Sequence, residues 1–428
     1  MSNDKFINEQ YEKWLDENPV DQVEDVDFDH LKTIVNDELK YVASMSVQEY
    51  TLYKKWCEVH TKYPTVEVNP FFDDTPALKD AEKGVLLKEI KQKIWMPEDP
   101  EEYLDLEPEV VWTQEESNDS VTSKELPEVW NALGIFLSSL QYNNNIGRNI
   151  RFIVRDKKTK KYLGIICVSS DYLDLTARDN YIGWDRTLKT EKMINHTTVG
   201  STIVPTQPLG YNLVGGKLLS LMTISDKIEK IWNEIYNDKL VGVTTTSIYG
   251  KSKEVPLSQY DRLKYWKKMG WSAGSISYEC TLPTQALMRK WLQKNHTFKY
   301  FEWYHAKREN GQPWKRVHKL RSRDFAYQQL GVDKSIQKSV HQRGIYFCEL
   351  FENTNAFLRG EITEDKLVRR FDNSVDSLST LWKEKYAKKR LASLKKQDRI
   401  SNESLFYDDL IYMSWEDTKK KYLSSIGR

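Results

Sequence analysis

The sequence predicts an α/β protein: a mixed β-sheet core, preceded by an acidic helical arm and followed by a basic α+β appendage. Three observations predict it. Between residues 126 and 282, short β-branched runs alternate with helical segments. Within that stretch the polar turn DKKTKK (156–161) separates two apolar runs, RFIV and YLGIICVSS, as in a β-hairpin. Charge also changes sign along the chain. Residues 1–125 carry 31 acidic and 13 basic side chains, a net of −18, whereas residues 283–428 carry 30 basic and 18 acidic, a net of +12. The net charge of +1 conceals this polarity. Such asymmetry points either to a nucleic-acid surface balanced by an acidic partner or mimic, or to a solvated amino-terminal extension.

In residues 1–125, LKTIVNDELKYV and SVQEYTLYKKWCEVH have helical apolar spacing, while EDVDFDH, EDPEEYLDLEPE and QEESNDS are acidic. The reading is a mainly helical arm ending in an acidic linker near 113–125. The core, 126–282, begins with the hairpin and continues through ARDNYIGWD (177–185). VGSTIV (199–204) is a strand stopped by Pro205, and QPLGYN (207–212) leads into the helical LVGGKLLSLMTI. KLVGVTTTSIYG (239–250) reads as a second strand, SQYDRLKYWKKMGWSAGS (258–275) as a helix ending at Gly270, and ISYECTL as an extended run.

The third segment, 283–428, interleaves aromatics with cations. Phe298, Tyr300, Phe301, Trp303, Tyr304 and Trp314 alternate with Lys307, Arg308, Lys315, Arg316, Lys319, Arg321 and Arg323. Rings can stack on bases while cations neutralise phosphates, which makes this the candidate DNA reader. The alternation in FKYFEWYH equally fits a β-strand with one buried face. LSTLWKEKYAKKRLASLKK (378–396) is a helix with a basic face, either tracking a phosphate backbone or solvated.

Composition excludes several classes. With 30% charged residues and a mean hydropathy of −0.67, no apolar run approaches the roughly 18 residues a bilayer requires. MSNDKFINEQ lacks a signal-peptide apolar stretch, so the expected setting is cytoplasmic, in a bacterial cell or a virus-infected host, without membrane contact. Four cysteines without a CxxC and histidines without i, i+4 spacing give no metal-site expectation.

At QPLGYN, Gly210 permits a turn that other residues resist, and the first N–H groups of the following helix lack internal partners. Together with the helix dipole they form an anion site suited to a nucleotide or coenzyme pyrophosphate. An ordinary β-to-α turn accounts for the same residues.

The element order, with QPLGYN, resembles the GNAT acyltransferases, whose pyrophosphate loop reads Q/R-x-x-G-x-G/A. The resemblance implies that Gln207, Gly210, Tyr211, Asn212 and Leu213 hold a coenzyme A thioester or related activated carrier. YWKKMGW (265–271) resembles the family's late helix ending, with Trp266 in place of the tyrosine that protonates the leaving thiolate. An indole cannot supply that proton at neutral pH, which puts ordinary acetyl-CoA chemistry in doubt. ARDNYIGWD, NHTTVGSTIVP and GGKLL resemble a second, closer family, over about 150–280 and more weakly over 300–370. It includes DruA of the Druantia anti-phage systems and phage or giant-virus relatives of the DNA-modification protein Mom.

Within ARDNYIGWD, Asp179 and Asp185 flank a Gly183 turn and are candidates for general-base work toward an amine, with Tyr181 a further hydroxyl and Arg178 a DNA contact. Alternatively Arg178, Asp179 and Trp184 form a structural latch. Two functions follow: transfer of an acyl-type group to a base amine in DNA, as the Mom resemblance implies, or a catalytically degenerate nucleic-acid-binding module in a phage or anti-phage assembly. The expected partners are DNA and, for the acidic arm, the chain itself or another protein.

Overall fold

The computed structural model describes residues 3–62, 90, 93–114, 126–137, 147–206, 209–210, 213–247, 258–314, 318–340, 342–397 and 415–425. They gather into two compact units, each discontinuous in sequence: 1–50 with 274–341, and 51–273 with 342–428.

The larger unit is built on a seven-stranded mixed sheet, as the α/β expectation required. Its strands are β1 (Pro108–Trp112), β2 (Asn149–Asp156), β3 (Tyr162–Ser170), β4 (Thr197–Pro205), β5 (Gly242–Ser247), β6 (Lys267–Trp271) and β9 (Gly344–Glu349), ordered β1-β2-β3-β4-β5-β9-β6. Every neighbouring pair is antiparallel except β4–β5. The β2–β3 hairpin forms where DKKTKK predicted it. Asp156 accepts from the Thr159 N–H and hydroxyl, both at 2.8 Å, fixing the turn.

One face of the sheet packs Phe152, Val154, Ile166 and Val168 against the helices Gly215–Met222, Asp226–Tyr236 and Val375–Trp382. The opposite face packs Ile153, Ile165 and Cys167 against Trp130 of the helix Leu126–Leu137. This alternation is the period of two that made the strands legible.

Around β4 the sheet is irregular. Cys167 pairs with Thr202 and Val168 with Gly200, so Ser201 is an extra residue on β4. β4 pairs with β5 only over Thr197–Val199 and Gly242–Thr244. Beyond that, β4 continues along β3 while β5 continues along β9.

Three readings require correction. Residues 258–275 are not a helix: 258–266 are turns and 267–271 are the edge strand β6. Arg262 and Tyr265 take left-handed φ of 60° and 75°, which no α-helix accommodates. FKYFEWYH is helical (Thr297–Tyr304), not a strand. Within 1–125, PEVVW (108–112) forms β1 rather than part of the helical arm. With GIYFCE forming β9, the sheet draws strands from all three charge segments.

The smaller unit contains the helices Asn3–Glu17, Phe28–Ala43, Leu282–Asn295, Thr297–Tyr304 and His318–Gln329, and a short ribbon of β7 (Ser275–Ser277) with β8 (Lys338–Val340). Asp27 caps the second helix, and Leu31, Val35, Leu39 and Val42 form its buried stripe. Glu38 accepts from Thr281 N–H at 2.8 Å and Thr284 Oγ1 at 2.6 Å. Lys290 pairs with Glu24 at 2.6 Å.

Candidate functional site

After β4 the chain turns through Thr206, whose carbonyl accepts from Gly210 N–H at 2.8 Å. Leu209 and Leu213 are fully buried and anchor this loop in the core. Val214 sits at φ 51°, immediately before the helix Gly215–Met222. Crowding against the Leu209 backbone requires the first of the paired glycines there, and the Gln259 side chain packs directly on the second. A Cβ on Gly215 would stand 2.7 Å from the Leu209 carbonyl oxygen, and one on Gly216 would stand 2.3 Å from Gln259 Oε1.

A pyrophosphate at this helix start needs free N–H groups and open space. Gly215 N–H already donates to Leu209 O at 2.8 Å, and the Gln259 carboxamide covers Gly216. Lys217 Nζ is held by the carbonyls of Gln259 and Asp261, both at 2.8 Å, and burial pushes its ammonium down to about 8. The described residues therefore do not fit a coenzyme pyrophosphate. Leu213 faces the core, and Gln207, Tyr211 and Asn212 lie outside the described residues.

The separation of β4 from β5 is filled by the chain itself. Thr245 Oγ1 donates to Gly200 O at 3.0 Å and lies 3.4 Å from the buried Tyr260 hydroxyl, and Gln259 Nε2 donates to that hydroxyl at 3.0 Å. Trp266 is also core: its indole N–H donates to Ser220 O at 3.1 Å.

The ARDNYIGWD motif folds as a helix, Thr176–Ile182, ended by Gly183 at φ 74°. Arg178 is completely buried. One terminal nitrogen lies 2.6 Å from Asp171 Oδ1, the other donates to Asp179 Oδ1 and Tyr172 O, each at 2.7 Å, and Nε also reaches Asp179 at 2.9 Å. Asp179 Oδ2 accepts from Lys189 Nζ at 2.8 Å and Leu175 N–H at 3.2 Å. Thr244 of β5 donates to Asp171 Oδ2 at 2.7 Å. The Arg178 guanidinium sits 5.1 Å from the centre of the Trp184 ring, whose N–H donates to Leu358 O at 2.7 Å. Asp185 accepts from Leu188 N–H at 3.0 Å, capping the next helical turn.

This geometry is the latch. Asp179 is neutralised by two cations, Asp185 is a helix cap, and Arg178, with no exposed surface, cannot meet DNA. Tyr181 lies apart, donating to Glu349 Oε1 at 3.0 Å beneath the Lys267 ammonium, 3.9 Å from its ring centre. Asp171, Lys189 and Thr244 complete the network but carried no motif that singled them out.

In the smaller unit the rings of FKYFEWYH are mostly engaged. Phe298 and Phe301 pack on Tyr11 at centroid distances of 5.0 and 5.4 Å, and Tyr300 and His305 lie 6.1 and 5.1 Å from Trp14. Trp303 packs on Phe325 at 5.4 Å. They hold a helical core together rather than standing open as a stacking platform. Lys307 and Arg308 are exposed, whereas Arg323 is committed to Asp324 at 3.0 Å and Glu279 at 3.4 Å. Lys319 and Arg321 lie on the His318–Gln329 helix, and Lys315 and Arg316 fall outside the described residues. Sequence reasoning missed four other exposed cations, Arg262, Lys264, Lys267 and Lys268, because it placed them on a helix. Their signal was four cations in seven residues.

Among the described residues, no group of three or more His, Cys, Asp or Glu side chains is placed to hold a metal ion, and no helix is long and apolar enough to cross a membrane. Fold and site define a mixed α/β protein organised around a buried arginine–aspartate corner. The chain belongs to the DruA family: the family model described as Druantia protein DruA matches residues 107–360, from β1 past β9 and through the whole corner. The Druantia protein DruA of Escherichia coli (strain UMEA 4076-1) is 25% identical over 234 residues, covering 52% of this chain and 55% of that protein. The chain thus spans about half the length of the curated relative it matches. No solved structure matches.

Proposed function

We propose that this protein is a DNA-binding component of a Druantia-type anti-phage defence assembly in the bacterial cytoplasm, acting by binding rather than by group transfer. Membership of the DruA family supports the defence setting. The observation that carries the choice of binding over transfer is the Gln259 carboxamide seated on Gly216, which covers the helix start an activated carrier would need. The ion-paired Asp179 and the capping Asp185 add to it, since each is already engaged with partners inside the chain. Binding of a labelled DNA duplex by the purified chain, followed across a salt series, tests the reading. Affinity independent of salt, or absent, would overturn it.

A second reading, GNAT-like transfer of an acyl-type group to a base amine in the manner implied by the Mom resemblance, is favoured by the extra residue Ser201 and the short β4–β5 pairing. Bulges of this kind recur beside active sites. Mass spectrometry of nucleosides from cells expressing the wild type or Gly210→Trp separates the two. Binding alone leaves the nucleosides of both unmodified, whereas transfer yields a modified base with the wild type only.

A further inference from the structure

We infer that the turn and edge strand at 262–268 form a contact surface for the phosphate backbone of duplex DNA; this rests on the DNA-binding reading and gives it a site. Arg262, Lys264, Lys267 and Lys268 are all exposed there. Several arginines elsewhere in this unit are held by carboxylates: Arg155 by Glu109, Arg359 by Glu361, Arg369 by Glu229. Among the described residues, no carboxylate lies within ion-pair distance of Arg262, Lys264 or Lys267; only Lys268 has one, Asp261 at 3.6 Å. Three uncompensated cations so close in sequence create a local positive field that a chain of phosphates would neutralise.

The turn is also held in shape. Arg262 and Tyr265 occupy left-handed φ, a conformation non-glycine residues adopt only when their surroundings impose it. Here the surroundings act from two sides. Lys217 Nζ donates to the carbonyls of Gln259 and Asp261. The Tyr386 hydroxyl accepts from Lys264 N–H at 2.8 Å and donates to Arg262 O at 3.3 Å. The Tyr265 ring is stacked on Phe371 at 3.7 Å, with the Lys264 ammonium 4.8 Å from its centre. Phe371 covers the Tyr265 ring, so the turn itself offers charge rather than a ring for base stacking. Contacts of that kind position a protein on duplex DNA without reading sequence.

Lysines on an edge strand can instead serve only to prevent strand pairing between molecules. The full-length chain carrying Arg262→Gln, Lys264→Gln and Lys267→Gln distinguishes the two roles, with fluorescence anisotropy on a mixed-sequence duplex across a salt series. Losing three phosphate contacts flattens the log–log salt slope by about 2.7 units. Tyr386→Phe, which keeps every charge and frees the turn, is expected to weaken binding while leaving the slope nearly unchanged. Tyr386 is a positioning residue, and a purely edge-protecting role would not produce that split. Lys299→Ala, Lys307→Ala and Arg308→Ala form the comparison set in the other unit. If that set flattens the slope and the 262–267 set does not, the inference fails while DNA binding stands. The same holds if the 262–267 variant aggregates but its soluble fraction keeps the wild-type slope. If the wild type binds no duplex, both the inference and the reading fall. Should the 262–267 variant be unfolded by circular dichroism, Lys264→Gln with Lys267→Gln must flatten the slope by about 1.8 units; an unchanged slope overturns the inference.

Discussion

Gln259 and Gly216 are in direct contact: the Gln259 carboxamide oxygen stands 2.3 Å from where a Cβ on Gly216 would lie. Gly216→Ala must therefore displace Gln259 from its 3.0 Å bond to Tyr260. Alanine otherwise favours a helix, by up to about 1 kcal/mol. In a Gln259→Ala background Gly216→Ala is expected to stabilise the protein, and in the wild type that gain is cancelled. The coupling between the two, about 1 kcal/mol in urea denaturation, reports the contact. Additive effects would show that Gln259 does not sit there.

Coenzyme A is expected to give no heat in titration calorimetry with the wild-type protein, because the helix start it would occupy is covered. Stoichiometric heat at micromolar affinity would mean that the 258–261 turn moves aside, and the transfer reading would then lead.

Arg178→Met leaves Asp171 and Asp179 without their buried guanidinium. Breaking a buried pair from one side costs about 3–5 kcal/mol. Asp185→Ala removes only a helix cap, worth about 1 kcal/mol. Chemical denaturation of the two variants should rank them in that order. A small effect at Arg178 would indicate that water already enters the corner.

Lys217 carries a pH signature. Burial lowers its folded-state pKa to about 8, below the ordinary 10.5. Between these values the unfolded chain holds a proton that the folded chain does not, so the Lys217 contribution to stability rises as pH increases from about 8 to 10.5. Below pH 8 both states are protonated and the penalty of burying the charge is fully present. The neutral amine still donates to both carbonyls. Lys217→Met is expected to remove this rise, read as the difference between the two stability–pH curves, which cancels the tyrosines titrating nearby.

The hairpin, β4, β5 and the Gly215–Met222 helix were legible because each obeys a local period and ends at a polar turn or proline. The 258–271 stretch was not, because its conformation is imposed from outside by Lys217 and Tyr386, residues distant in sequence. PEVVW is too short, and too deep within an acidic segment, to announce itself as a strand. At the corner, the pairing of Arg178 with Asp179 was foreseen as one of two alternatives. What decided between them was the pair Asp171 and Lys189, whose approach depends on tertiary folding. The aromatic stretch 298–305 fits base stacking and packing equally in sequence, since ring-rich runs look alike in either role until their neighbours are known.

The insertion of β9 between β5 and β6 has a temporal consequence. Among the described residues, β6 pairs only with β9, and the distal half of β5 has no other partner on that side. On the ribosome both strands emerge before the entire 274–341 stretch, and residues 344–349 follow β6 by several seconds at roughly 5–20 residues per second. Throughout that interval the nascent sheet has two raw edges where the finished one has a seam. A stalled or prematurely released chain would carry those edges into the cell, so the vulnerable moment in the life of this protein is its own synthesis.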